Sequence, residues 1–596
     1  MLLNDTPFCR ICPVAKRRVL CYNPPGKRSD LRGFGRELSR TVLDLRCGCI
    51  LVRRADQNPH DGNADETSEV FGVEEVPVTS RAGQLARAAT IVMAAFVASR
   101  VLGLAREMII AHQFGTSLEL GAYLAAFRVP DLIFQLVAGG ALGSAFIPTF
   151  TSYLAHGDEA EAWRLASAVF NIAALILTTC AFVAALLAPR IAPLIVPGFD
   201  PQAQALTARL MRLMLISPVV FGLSGISMGV LNSYQHFLLP ALAPVVYNLS
   251  IIGGALLLAP ILGIHGLAVG VVVGSLLHLL IQVPMLLRKG LAYTPILGLD
   301  HPGVREVGRL MLPRVLGLAA VQVNFLVNTI LASGLGEEAL PALNYAWLLM
   351  LLPQGIFALA IATAVFPTLS ELAAREETAE LRRTLSGALG VVWYLTIPAS
   401  VGLVILQRPL IRVLLERGRF TGTSTDAVAW ALGFYALGLF AHATVEIVTR
   451  AYYALHDTRT PVLIGVGAMA CNVILSLLLI HPLLHGGLAL ASSIATILEM
   501  LVLVLVLRAR LGGVEERRLV SSLARIVGAA GAMGLALSGF VQARRFTSPP
   551  ILAGGGVLLG AAVYFLASLL LRVGEVAALR RLVRRSPSAR REMGSS

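Results

Sequence analysis

Two arginines and a glutamate stand within Ser99–Gly115, SRVLGLAREMIIAHQFG, inside a run that from Ala88 onward is apolar enough to cross a bilayer. An arginine at the centre of a spanning helix costs about 2.5–3.5 kcal/mol on insertion scales, so charges placed there face a bundle interior or a watery cavity. On a helix, Arg100 and Glu107 fall on one stripe and Arg106 lies about 100° round from it. Ser99, Arg100, Arg106 and Glu107 are therefore candidates for one polar wall. Its chemistry would be anion binding, because guanidinium groups present a planar fork that matches phosphate oxygens. A second reading stays open, in which Arg106 and Glu107 end the helix and snorkel to a headgroup layer.

The chain that must position this wall has 596 residues, 56% of them hydrophobic and 14% charged. Soluble domains carry about 25% charge, so a water-soluble globular protein is excluded. The net charge of +14 sits in short segments between apolar runs, where positive-inside topology accounts for it and nucleic acid is not implied. Five of the seven cysteines precede the first span, and Cys180 and Cys471 lie inside apolar runs, so no disulfide framework follows. Residues 1–85 are basic, then acidic, with little apolar periodicity, and are expected to be a disordered extension, for which an upstream start-site error is one explanation. Cys9-x2-Cys12 with Cys47-x-Cys49 resembles half a zinc site, but the second spacing is wrong for the common ribbons. No cleavable signal peptide is visible.

Apolar runs of bilayer length number fourteen: 88–112, 119–145, 163–189, 207–232, 240–260, 264–287, 308–334, 341–370, 382–406, 427–452, 461–481, 486–508, 520–541 and 550–573. The expected fold is an all-α polytopic membrane protein. Loops after even-numbered runs are rich in arginine, which puts both termini in the cytoplasm. One loop after an odd run breaks the pattern with Arg408, Arg412, Arg417 and Arg419. Its sequence, LIRVLLERGRF, is expected to be a surface helix along the outer interface.

The chain also repeats itself with a period of about 220 residues. Ser144–Phe170 matches Thr363–Leu389, aligning Pro148 with Pro367; Pro240 matches Pro461, and His265-Gly-Leu-Ala matches Gly486-Gly-Leu-Ala. Each repeat holds six runs, an even number, so both halves share one orientation about an axis along the membrane normal. The division expected is a first six-helix lobe over 86–300, a second over 301–510, two additional helices over 511–575 and a basic cytoplasmic tail over 576–596. Gly139-x3-Gly143, Gly225-x3-Gly229 and Gly266-x3-Gly270-x3-Gly274 have the spacing for close helix packing.

SRVLGLARE at Ser99–Glu107, the AFxxP around Phe127 and Pro130, SAFIPTF from Ser144, and AYYALHDTRTPV at Ala451–Val462 resemble the MurJ/MviN family of lipid II flippases. This family belongs to the multidrug/oligosaccharidyl-lipid/polysaccharide exporter superfamily. The resemblance runs from about Ala88 to Arg572. It implies a V-shaped pair of lobes that move an undecaprenyl-diphosphate-linked peptidoglycan precursor from the inner to the outer leaflet of the bacterial cytoplasmic membrane. The partners implied are this lipid-linked precursor and membrane lipids. No bond need change, so no enzyme is expected.

The same resemblance implies cavity charges that this chain lacks. Gly121, Phe134 and Leu348 stand where better-known members carry an acidic residue and two arginines. Arg314 with Asn324 and Asn328, on the seventh run, is the candidate substitute, and Arg209 and Arg212 are alternatives that interfacial anchoring explains about as well. Some members couple transport to sodium through spans seven, eleven and twelve. Here Asn472 and Ser476 are the weak candidates for that ion, with no carboxylate accompanying them, and the membrane potential is the alternative drive. Two further readings remain open: a flippase for another lipid-linked glycan, and a transport-dead scaffold whose partners are cell-wall synthesis proteins.

Overall fold

The computed structural model describes residues 78–137, 141–544 and 548–576. Most of the expected extension, with its cysteine pairs, and the basic tail beyond residue 576 lie outside the described residues. Residues 78–85, expected in that extension, already belong to the first helix. The helical stretches are α1 (Val78–Phe114), α2 (Leu118–Val137), α3 (Ala141–Ala155), α4 (Glu159–Ile195) and α5 (Pro201–Ser233, with a one-residue break at Leu215). They continue as α6 (Leu238–Leu262), α7 (Ile264–Arg288), α8 (Pro302–Ser333), α9 (Ala339–Ala374) and α10 (Thr378–Leu414). The last are α11 (Gly422–Ala454), α12 (Arg459–Leu483), α13 (His485–Leu511), α14 (Glu516–Ala543) and α15 (Pro549–Leu570). Among the described residues, twelve of these stretches are long and apolar enough to cross a membrane. The expected first and seventh runs fall on α1 and α8, where part of the side chains lies outside the described residues.

Helices dominate because hydrocarbon offers backbone groups no partner, so each spanning segment must satisfy its own. Prolines interrupt several: Pro130 in α2, Pro244 in α6, Pro398 in α10. The π turns at Gly254–Leu258 and Gln354–Ala358 sit beside Pro260 and Pro353, where a missing N–H and a ring against the preceding turn disturb the i→i−4 ladder. Large apolar side chains point outward, with Leu257 72% and Ile261 79% exposed, as a surface made for lipid requires.

The duplication is written in the backbone. Gly157, Gln235, Gly263 and Gly290 have left-handed φ, and so do Glu376, His456, Leu484 and Gly512, each about 220 residues on. The matched prolines Pro240 and Pro461 both lie in the first turn of a helix, α6 and α12. Just ahead of α7 and α13, Gly263 (φ 57°, ψ −139°) and Leu484 (φ 52°, ψ −134°) hold the same conformation. The glycine ladder of α7 serves packing: a Cβ on Gly270 would come within 3.1 Å of the Gly254 Cα, so α6 and α7 touch main chain to main chain. The appendage formed by α14 and α15 packs on α10, where the buried Tyr564 hydroxyl donates to the Tyr394 carbonyl (2.7 Å).

The lobes meet at a seam between α1, the α10–α11 loop, the α4–α5 loop and the end of α8. The Arg419 amide donates to the His112 carbonyl (2.9 Å), the Thr116 and Ser424 hydroxyls lie 2.7 Å apart, and the Gly198 amide donates to Ser333 Oγ (3.2 Å). Gly115 and Gly418 have left-handed φ, and a Cβ on either would strike the main chain of the other lobe. The segment LIRVLLERGRF therefore corrects an expectation. It is not a separate surface helix: α10 continues to Leu414, and the segment then turns into the seam. Of the four arginines of the cluster, three meet acids, Arg408 with Asp426 (3.1 Å), Arg412 with Glu416 (3.3 Å) and Arg419 with Glu119 (3.7 Å), and Arg417 donates to the Val413 carbonyl (3.2 Å), so local contacts account for the basic cluster.

Candidate functional site

The first lobe's part of the central cavity, about 320 Å³, is enclosed by α1, α2, α6 and the start of α9. Arg106 and Glu107 line it, although side chains of adjacent helical residues diverge by about 100°. The long arginine folds back, so that its Nε (3.1 Å) and one terminal nitrogen (2.5 Å) donate to the same Glu107 oxygen. Its other terminal nitrogen donates to Asn248 Oδ1 on α6 (3.1 Å). Asn248 is held in turn by donating to the Pro244 carbonyl (3.0 Å) and the Ser99 carbonyl (3.4 Å). Glu107 is 8% exposed. A buried carboxylate of this kind is tolerable only because it is paired. Tyr123, Tyr247 and Tyr345 complete an aromatic wall.

A larger compartment, about 450 Å³, is lined by α2, α8, α9, α11, α12 and α13. Arg128 and Asn344 line both compartments and so mark their junction. The Arg128 Nε donates across the lobes to Thr329 Oγ1 (3.0 Å), and its guanidinium stands 5.5 Å from the Phe325 ring centroid. One turn on, Asp131 accepts from Gln322 (2.9 Å). The Asn324 and Asn328 carbonyl oxygens are buried in this compartment with no hydrogen-bond partner among the described residues. Trp347 stands edge-on to Tyr435 and His442, at 5.3 and 5.5 Å between centroids. The arrangement can hold an anion at two guanidinium groups and uncharged hydrogen-bonding groups beside the asparagines.

The structure thus brings Arg106, Glu107 and Asn328 to the cavity. Ser99 lines neither compartment; its carbonyl accepts from Asn248, the partner of Arg106. Arg100 is exposed, 5.4 Å over the Phe96 ring, and lines neither compartment. Arg314 lies on α8, but its side chain falls outside the described residues. Arg209 and Arg212 are exposed, with Arg212 donating to the Ala185 carbonyl (3.0 Å). Where relatives were expected to carry charge, this chain is packed: a Cβ on Gly121 would lie 3.3 Å from Phe199, and Phe134 meets Phe221 at 5.7 Å. Sequence reasoning missed Arg128 and Asp131, which flank Pro130. The signal was available, since both interrupt an apolar run as Arg106 does.

Asn472 lines the larger compartment, but its side-chain oxygen already accepts from the Ser476 hydroxyl (3.0 Å). The expectation that no carboxylate accompanies them is corrected by Glu499 of α13, which lines the same compartment. A hard cation takes about six oxygens, and the side chains of the Asn472–Ser476 pair supply at most two of them.

A family model described as lipid II flippase MurJ matches residues 110–552. The chain is 33% identical over 422 residues to the lipid II flippase MurJ of Burkholderia cenocepacia, covering 69% of this chain and 81% of that protein. It is 30% identical over 516 residues to a probable lipid II flippase MurJ of Rhizobium tropici, covering 83% and 96%. A solved structure of lipid II flippase MurJ in an inward closed conformation superposes with a TM-score of 0.70 at 27% identity, over 81% of this chain and 99% of that one. An inward-facing multidrug transporter of the MOP superfamily shares the fold, with a TM-score of 0.62 at 15% identity. With two lobes, a cavity carrying intramembrane arginines and these matches, the chain belongs to the lipid II flippase MurJ family.

Proposed function

We propose that this protein moves lipid II, the diphosphate-linked peptidoglycan precursor, from the inner to the outer leaflet by alternating access. The observation that carries the reading is the pair Arg106 and Arg128, one in each compartment's wall and both open to one cavity between the lobes. The diphosphate would meet these guanidinium groups, the headgroup's neutral parts would meet Asn324 and Asn328, and the lipid tail would stay in the bilayer. Both termini are cytoplasmic in this reading, and the seam described above closes the outer side. The membrane potential supplies about 2.3 kcal/mol per charge moved through 100 mV. Partners beyond the precursor and membrane lipids would be cell-wall synthesis proteins.

The test is rescue of a bacterium depleted of its own lipid II flippase. The parent chain is expected to restore growth, and Arg106→Ala and Arg128→Ala to fail at equal membrane abundance. A second reading, another lipid-linked glycan as cargo, is favoured by the packed surroundings of Gly121 and Phe134. A correctly inserted parent that does not rescue would select it.

A further inference from the structure

The larger compartment holds three charged side chains. Arg128 and Asp131 on α2 are engaged, by Thr329 and Gln322 respectively. Glu499 on α13 lines the same compartment, yet among the described residues it makes no ion pair and no hydrogen bond. Gly465 stands opposite: a Cβ there would lie 3.4 Å from Glu499 Oε1, so the carboxyl faces bare main chain of α12. The α12 wall continues with Ala468 and Met469, which offer no side-chain oxygen, and with Asn472, whose oxygen accepts from Ser476. From α11 the compartment receives Tyr435 and His442, while Glu446 of that helix is paired with Arg450 (2.5 Å). The α8 and α9 faces contribute neutral asparagines. One turn from Glu499, Thr496 Oγ1 lies 3.3 Å from His442 Nε2.

A carboxyl group that lines a cavity and has no cationic partner and no hydrogen-bond donor beside it can exchange a proton with cavity water. A hard cation would need about six oxygens around it, whereas a proton needs one. We propose that Glu499 is a proton-binding site of the transport cycle. A proton from cavity water adds to a carboxylate oxygen, forming one O–H bond and cancelling the charge. When the lobes rearrange and the carboxyl meets water on the other side, that bond breaks and the proton leaves to that water. Proton movement and headgroup movement then share one chamber, and in this the inference rests on the flippase reading.

The experiment is pH-difference infrared spectroscopy of the full chain in lipid nanodiscs, beside Glu499→Gln and Asp131→Asn. The expected result is a protonated-carboxyl C=O band that titrates, disappears in Glu499→Gln, persists in Asp131→Asn and does not respond when choline replaces sodium. The same band in Glu499→Gln overturns the proposal, as does a carboxylate signal set by sodium at fixed pH. This readout needs no transport. A chain that fails to rescue but keeps the band removes the flippase reading alone, and one that rescues without it removes this inference alone. In proteoliposomes, Glu499→Gln is expected to abolish the response of flipping to an imposed pH gradient; an unchanged response would also overturn it.

Discussion

Arg106 and Glu107 form a unit within one helix, and this separates their structural from their functional worth. Removing the arginine alone strands a carboxylate that is 8% exposed, a change that costs about 3–5 kcal/mol for a buried pair. Arg106→Ala is therefore expected to lower thermal stability, and Arg106→Ala/Glu107→Gln to recover most of it while remaining inactive in rescue. Recovery of activity by the double variant would show that the arginine serves only to neutralise its neighbour. The sequence made Arg106 legible because an intramembrane charge demands an explanation. It did not make Arg100 legible: a shared stripe says which residues align, not how far the cavity runs. Around Arg100 the helix is bare, with Met93, Phe96, Val97 and Val101 all exposed. Glu499 escaped notice because its surroundings come from α11 and α12, which no spacing along α13 reveals.

At the scale of elements, the spanning helices were readable from apolar runs of bilayer length, and their ends only to within several residues. Asp457 shows why the HDTRTP turn holds. It accepts from the Arg459 and Thr460 amides (both 3.0 Å) and the Thr460 hydroxyl (2.6 Å), and pairs with Arg510 at the end of α13. Those Thr460 bonds first, then the Arg510 charge, hold its carboxyl below the usual range. With the folded value below the unfolded one of about 3.9, its stabilisation is complete above that pH and is lost as pH falls through the folded value. Asp457→Asn, which keeps an acceptor for the Thr460 bonds but loses the charge opposite Arg510, is expected to cost about 0.2–1 kcal/mol between pH 5 and 8, with the gap from the parent closing only in acid. Melting curves across pH would check it. Leu484 makes the opposite case. It occupies the backbone conformation that glycine takes at Gly263, and it is 54% exposed. Leu484→Gly is expected to stabilise by about 1 kcal/mol, since strain relief of about 1–3 kcal/mol exceeds the added flexibility of the unfolded chain. A lower melting temperature in that variant would refute the strain argument.

In the whole molecule, the two lobes and their appendage followed from an even-numbered repeat, but the seam did not. The basic segment at the end of α10 looked like an interfacial helix because two of its acidic partners, Glu119 on α2 and Asp426 on α11, are contributed by other elements. Closure of the seam can be trapped. Thr116→Cys/Ser424→Cys is expected to form a disulfide across the 2.7 Å hydroxyl contact, halt transport when oxidised and release it when reduced. Transport that continues at full rate in the oxidised variant would show that this seam does not open in the cycle. The appendage makes a separate prediction. Tyr564→Phe, which deletes its bond to the Tyr394 carbonyl, should cost about 1–3 kcal/mol because a buried acceptor loses its donor, and should leave rescue intact.

The seam's glycines carry a consequence for sequence drift. Gly115 and Gly418 press against carbonyl groups, and the Arg419 amide bonds the His112 carbonyl, so the latch is made largely of atoms that every residue type supplies. Once the two glycines are kept, their neighbours can change without rewriting the closure. A joint of this kind ties closure to two positions, so substitutions at the residues beside them are expected to leave it intact.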